Sequence, residues 1–174
     1  FTLTGWFYRD TATSDDTIIA KKLGQPTTAT GYILFIDDSD DKLYFEISDA
    51  TNEYSLSSTT TFTTSAWKHF AVTWDQGSAA NTEIYINGAA DSATGSGTIG
   101  NVLSSANSAS LAIGAESDNQ NHFDGMLDDL RIYNRILSNS EIASLANGNK
   151  TTGSGVFVLE SDIDINGDLR MFDS

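Results

Sequence analysis

The loop Ile113-Gly-Ala-Glu-Ser-Asp-Asn-Gln-Asn-His-Phe123 brings together oxygen donors of two kinds. Glu116 and Asp118, two residues apart, offer carboxylates, and Asn119, Gln120 and Asn121 add neutral carbonyl oxygens. A hard cation that takes six to eight oxygen ligands in a flexible cage suits this mixture, so the loop predicts a calcium site. A second acidic run, Asp37-Asp-Ser-Asp-Asp41, lacks the ligand spacing and the distal Glu of an EF-hand loop and reads as a hairpin turn. Other chemistry is poorly served. His69 sits among strand aromatics and reads as a packed side chain, and His122 by itself makes no transition-metal site. No Ser/His/Asp or Cys/His arrangement and no phosphate-cradling glycine loop can be drawn from the sequence.

These residues must be held by a scaffold, and the patterning defines one. Apolar residues alternate with period two in short runs separated by polar turns, the signature of antiparallel β-structure. The runs are 1–8, 17–21, 32–36, 43–47, 53–57, 67–74, 82–86, 110–114 and 126–133. The acidic turn 37–42 joins two of them as a hairpin, and Asn87-Gly88 supplies a tight turn because both residues tolerate positive φ. Pro26, in a Gly/Thr loop, interrupts no strand. One helix is expected over about 138–147. Ser138 and Glu141 form a capping box, Leu137 and Ile142 a hydrophobic staple, and Asn147-Gly148 the stop. In the acidic pair Asp128-Asp129, on an alternating strand, one carboxylate is expected to turn inward and be satisfied by loop amides. Beyond the helix a connector at 151–155 leads to a further strand, Val156–Leu159, and to an alternating tail.

Composition limits the partners. The 174 residues hold 24 Asp plus Glu against 9 Lys plus Arg, a formal net charge of −15. Such a surface repels phosphate backbones and anionic membranes, so neither nucleic acid nor membrane insertion is expected. No stretch is apolar for long enough to span a bilayer. Cysteine is absent, so no disulfide framework is available. The chain starts directly on a strand, without Met or a basic-then-apolar leader, and reads as an excerpt from a longer protein.

Four segments, in order, resemble laminin-G-like and pentraxin-like domains of the concanavalin-A-like lectin/glucanase superfamily. They are Phe1-Thr-Leu-Thr-Gly-Trp-Phe7, Trp67-Lys-His-Phe-Ala-Val-Thr-Trp-Asp75, Glu83-Ile-Tyr-Ile-Asn-Gly88 and the closing run from Phe123 to Leu145. The resemblance implies an all-β, two-sheet antiparallel jelly-roll sandwich with one short helix near the C-terminus. The domain is expected over residues 1–160, with 161–174 as a closing strand or the start of a stem or following module. In pentraxin-like proteins an acidic pair after the early strand joins the Glu-x-Asp loop around calcium. The resemblance therefore implies Asp15, Asp16, Glu116, Asp118 and Asn121 as the metal ligands here. The family usually has a strand before the first one seen here, so Val156–Leu159 either fills that edge or leaves it open. Glucanases of the superfamily carry Glu-x-Asp-x-Glu on a central strand. The nearest text, Glu160-Ser-Asp-Ile-Asp164, ends in Asp and follows the helix, so no enzyme is expected.

The expected function is that of a non-catalytic extracellular binding module, secreted or displayed on a cell or virion surface. It would recognise carbohydrate or another cell-surface ligand with the help of calcium. The alternative is a structural or assembly module of an extracellular fibre, adhesin or phage tail, packed against neighbouring copies or modules. Fold alone does not choose between them.

Overall fold

The computed structural model describes residues 1–12, 14–22, 30–49, 51–63, 66–75, 78, 81–93, 95–98 and 108–148. Among these residues eleven strands and one helix follow in order: β1 (Thr2–Arg9), β2 (Asp16–Lys21), β3 (Thr30–Ile36), β4 (Lys42–Asp49), β5 (Glu53–Thr61), β6 (Lys68–Thr73), β7 (Glu83–Ile86), β8 (Ala89–Ala90), β9 (Ser96–Gly97), β10 (Ala112–Ile113), β11 (Gly125–Tyr133) and α1 (Asn139–Asn147). They form two antiparallel sheets, β11-β1-β6-β7-β8 and β10-β2-β3-β4-β5-β9. This is the predicted sandwich. The runs read from periodicity are found as strands, with three differences: the fifth runs on to Thr61, the run 110–114 is a strand only at Ala112–Ile113, and the short β8 and β9 carry no alternation that marks them. The expected strand 156–159, the Glu160–Asp164 segment, the 161–174 tail and the Pro26 loop lie outside the described residues.

Alternation decides what faces inward. Leu3 and Phe7 of β1, Phe70 and Val72 of β6, Leu34 and Ile36 of β3, and Leu43, Phe45 and Ile47 of β4 meet between the sheets, each at most 1% exposed. Trp74, just after β6, closes one end of this core against Phe45 and Tyr54, with ring centroids 6.1 and 6.0 Å away. At the fifth position Gly5 replaces a side chain because a Cβ there would lie 2.4 Å from Leu130 Cδ2. A register shift between Thr17 and Ile19 inserts one residue into β2, and both Ile18 and Ile19 are buried in the core.

Local signals set the turns and the helix. The 37–42 turn joins β3 to β4, with Asp37 N donating to Lys42 O at 3.0 Å. Asn87 and Gly88, at φ 51° and 82°, turn β7 into β8. Ser138 caps α1 in a complete capping box with Glu141. Leu137 and Ile142 then pack with Ala71 and Tyr85, so α1 lies on the outer face of the five-stranded sheet. The expected inward member of the pair Asp128-Asp129 is not found. Asp128 is half-buried, while Asp129 is exposed at φ 51° and bonds Arg131 at 2.9 and 3.0 Å. The irregular register opposite Thr4–Trp6 breaks the alternation at this pair, so parity no longer turns either carboxylate inward.

His69 is the packed side chain its setting predicts. It is 2% exposed, stands edge-on to Trp6 at 5.3 Å, and its Nδ1 has no hydrogen-bond partner. Burial holds the imidazole down to about 4, with Asp129 opposing and Arg131 reinforcing the shift. The native state therefore refuses a proton that the unfolded chain accepts below its ordinary value of 6.5. Stability is expected to be full above that value and to fall as pH drops towards 4, by at most about 3 kcal/mol. Denaturant melts at several pH values check this: His69→Gln is expected to flatten the slope between those limits, and an unchanged slope would show that other groups carry it.

Candidate functional site

The first strand runs Leu3, Gly5, Phe7, Arg9 along its inward parity, so a guanidinium arrives where the pattern demands an apolar group. Arg9 is 1% exposed. Its Nε donates to Asp16 Oδ2 at 2.5 Å, and its Nη1 donates to Asp41 Oδ1 at 2.6 Å and to Phe62 O at 2.8 Å. Asp16, also 1% exposed, accepts from the Asp124 amide through its other oxygen at 2.9 Å. Four separate turns are thus tied to one buried ion pair: the entry to β2, the β3–β4 hairpin, the exit of β5 and the approach to β11. Burial pushes the Asp16 carboxyl up, and the Asp124 amide and Arg9 pull it back.

Of the five residues predicted to hold calcium, Asp16 is therefore occupied as a structural group, with both oxygens already bonded. The other four remain near the surface at the same end. Asp15 is half-buried and accepts from the Asp38 amide at 3.0 Å. The expected partner loop does come alongside: Thr17 N donates to Asn121 O at 3.2 Å, and Thr17 bridges to His122. Within that loop Glu116 N donates to Gln120 O at 2.9 Å, and Asn121 Nδ2 donates to Glu116 Oε1 at 2.6 Å. Asn119 and Asn121 take positive φ of 67° and 46°, which Asn tolerates better than most residues. Asp118 is exposed.

The second acidic run divides by role. Asp41 goes to Arg9, and Asp40 to Lys42 at 3.1 Å and to the Tyr44 hydroxyl. Asp37 and Asp38 turn towards Asp15, and one carboxylate oxygen from each of the three lies within 4.8 Å of the others. By sequence the run reads as a hairpin turn, and the approach of Asp15, just before β2, carries no local signal. Burial raises the Asp15 carboxyl, and the neighbouring charges of Asp37 and Asp38 raise it further. A bound divalent cation would relieve that repulsion, and the donor set is one of hard oxygens, which suits calcium.

The outer face of the six-stranded sheet carries a feature absent from the motif reading. Phe35 and Tyr44 stack across β3 and β4, centroids 5.7 Å apart and 23° from parallel. Glu46, two residues along the same face, is raised by burial, with Lys22 countering. Rings of this kind can stack on the apolar face of a sugar, and carboxylates can accept its hydroxyls.

Residues 1–143 match the Laminin_G_3 family, described as the concanavalin A-like lectin/glucanases superfamily. The chain belongs to this family. A comparison with curated protein sequences finds no match. Among solved structures, the chain resembles a native heptameric SAP-like pentraxin from Limulus polyphemus, with TM-score 0.55 and 17% identity over 92% of this chain and 76% of that one. It also resembles the CBM40 of the Ruminococcus gnavus IT-sialidase bound to α2,3-sialyllactose, with TM-score 0.64 and 13% identity over 83% and 81%. A third is the leech intramolecular trans-sialidase, with TM-score 0.62 and 16% identity over 90% of this chain but only 24% of that one. At these identities the likeness is one of fold. Among the described residues no helix is long and apolar enough to cross a membrane.

Replacing Asp16 with Asn leaves an acceptor for Asp124 but strands the buried Arg9 charge against Asp41 alone. Breaking one half of such a pair is expected to cost about 3–5 kcal/mol. Urea denaturation of Asp16→Asn checks it; a loss below about 1 kcal/mol would show that the guanidinium finds water instead.

Proposed function

We propose that this chain is a non-catalytic, extracellular carbohydrate-binding module whose ligand surface is assisted by calcium. The observation that carries the calcium reading is the convergence of Asp15, Asp37 and Asp38 at one end of the sandwich, next to the Glu116–Asn121 loop. Asp15 is the shared ligand in this reading. Asp37 and Asp38 stand beside it, Asp16 is locked to Arg9, and the loop that bonds Thr17 through Asn121 would supply Glu116, Asp118 and Asn121. Support for carbohydrate comes from the family, from the sialyllactose bound by the similar CBM40, and from the Phe35–Tyr44 pair.

A second reading, a structural module of a fibre, adhesin or phage tail, is favoured by one observation. Among the described residues β11 ends the five-stranded sheet with its outer edge unpaired.

Calorimetry with calcium, followed by a glycan panel with and without chelator, tests the first reading. Calcium is expected to bind at about 10⁻⁴–10⁻³ M, the range of extracellular modules. Asp15→Asn is expected to abolish binding. Loss in Asp118→Ala with retention in Asp38→Asn would assign the ion to the Glu116–Asn121 loop, and the reverse to the β3–β4 turn. Calcium binding undiminished in Asp15→Asn contradicts the site, and a glycan panel blank in saturating calcium contradicts the binding role.

A further inference from the structure

Two neighbouring strands each place a cation where an apolar residue is due. The inward side of β1 runs Leu3, Gly5, Phe7 and then Arg9, and that of β6 runs Val72, Phe70 and then Lys68. Phe7 and Lys68 are register partners, so their side chains leave the sheet on the same face. Arg9 and Lys68 both line a cavity of about 160 Å³ at this end of the sandwich. The two charges are answered differently. Arg9 meets Asp16 and Asp41 at 2.5 and 2.6 Å, and Lys42, Arg131 and Arg135 each meet a carboxylate as well. Half-buried Lys68 forms no ion pair among the described residues, in a chain whose net charge is −15. No acidic side chain among the described residues lines the cavity either. What Lys68 lacks is the counter-charge that Arg9 has.

We propose that this cavity binds a small organic carboxylate, whose charge meets Lys68 and whose carbon body lies against Phe7 and Phe62. The lining has two halves that ask for such a ligand. Phe7 and Phe62, edge to face at 5.3 Å, and Ala66 form an apolar wall that a bare inorganic ion would leave unused. Lys68 and the hydroxyl residues Thr61 and Thr63 supply donors, and a carboxylate accepts them in charge-assisted bonds. Arg9, 1% exposed and held by its own acids, forms the deeper side. At about 30 Å³ per water the volume holds roughly five waters, so one acidic group and a few carbons fill it. The uronate end of a glycan and a free carboxylic acid share this chemistry. The cavity has no lining residue in common with the cluster of Asp15, Asp37 and Asp38, so it needs no calcium and stands apart from that reading.

Amide NMR of the full chain, titrated in turn with D-glucuronate, propionate, glucose and sulfate, tests this with chelator present throughout. Saturable shifts at the Phe62, Thr63 and Lys68 amides are expected with a carboxylate and not with glucose. Glucuronate binding more tightly than propionate assigns the cavity to the end of an acidic glycan, and the reverse order to a free acid. Lys68→Gln is expected to weaken the binding roughly tenfold or more, the worth of one charge-assisted bond. Ala66→Phe, at an exposed position of the lining, is expected to block it while the amides of β3 and β4 stay unshifted. Absence of saturable shifts with both carboxylates overturns the proposal, and so does equal affinity in Lys68→Gln and the parent. Sulfate binding as tightly as either carboxylate would show an adventitious ion only and overturns it too.

Discussion

One buried ion pair organises the end of the molecule where function is proposed. Arg9 and Asp16 are both 1% exposed and meet at 2.5 Å. Removing two charges from water is expensive, and the expense is offset only because the remaining valences are filled: Asp41 and Phe62 O for Arg9, the Asp124 amide for Asp16. Each of those partners belongs to a different connection between strands. The pair therefore fixes the relative positions of loops that share no sequence proximity, which a hydrophobic contact of the same size, being non-directional, would do less specifically.

That constraint explains how the acidic groups are sorted. Of the residues at this end, the carboxylates tied to Arg9 are withdrawn from solvent or partly so, and Asp15, Asp37 and Asp38 are left crowded together. Crowding like charges at a surface costs stability, and a cation is the natural relief. The Glu116–Asn121 loop is held against β2 by main-chain bonds, and its own Asn121–Glu116 contact fixes those two side chains without a ligand. Preorganisation of this sort lowers the ordering cost of binding.

Much of the fold was legible because its signals are local. Leu137, Ser138, Glu141 and Ile142 lie within six residues and specify α1 without help from elsewhere. Asn87-Gly88 does the same for its turn. The site was less legible because its decisive contacts span 7, 32, 53 and 108 residues. Asp15 and Asp16 look alike in sequence, yet one ends at the surface and the other beneath it. A signal was present: Arg9 continues the inward parity of Leu3, Gly5 and Phe7, and a cation there requires a buried acid. The bulge residues in β2 and at Asp129 hid the rest, since an extra residue reverses parity without marking the sequence.

The claim that the pair preorganises these loops, rather than merely adding stability, can be separated from stability itself. Replacing both partners with apolar residues, Arg9→Met with Asp16→Leu, removes the charges together and is often close to neutral for folding. The decisive measurement is amide hydrogen exchange in this double variant. The account predicts cooperative unfolding with a smaller loss of stability than Asp16→Asn causes alone, faster exchange at Asp124 and at Thr17, and loosened amides through 116–123. Unchanged exchange at those positions would contradict it.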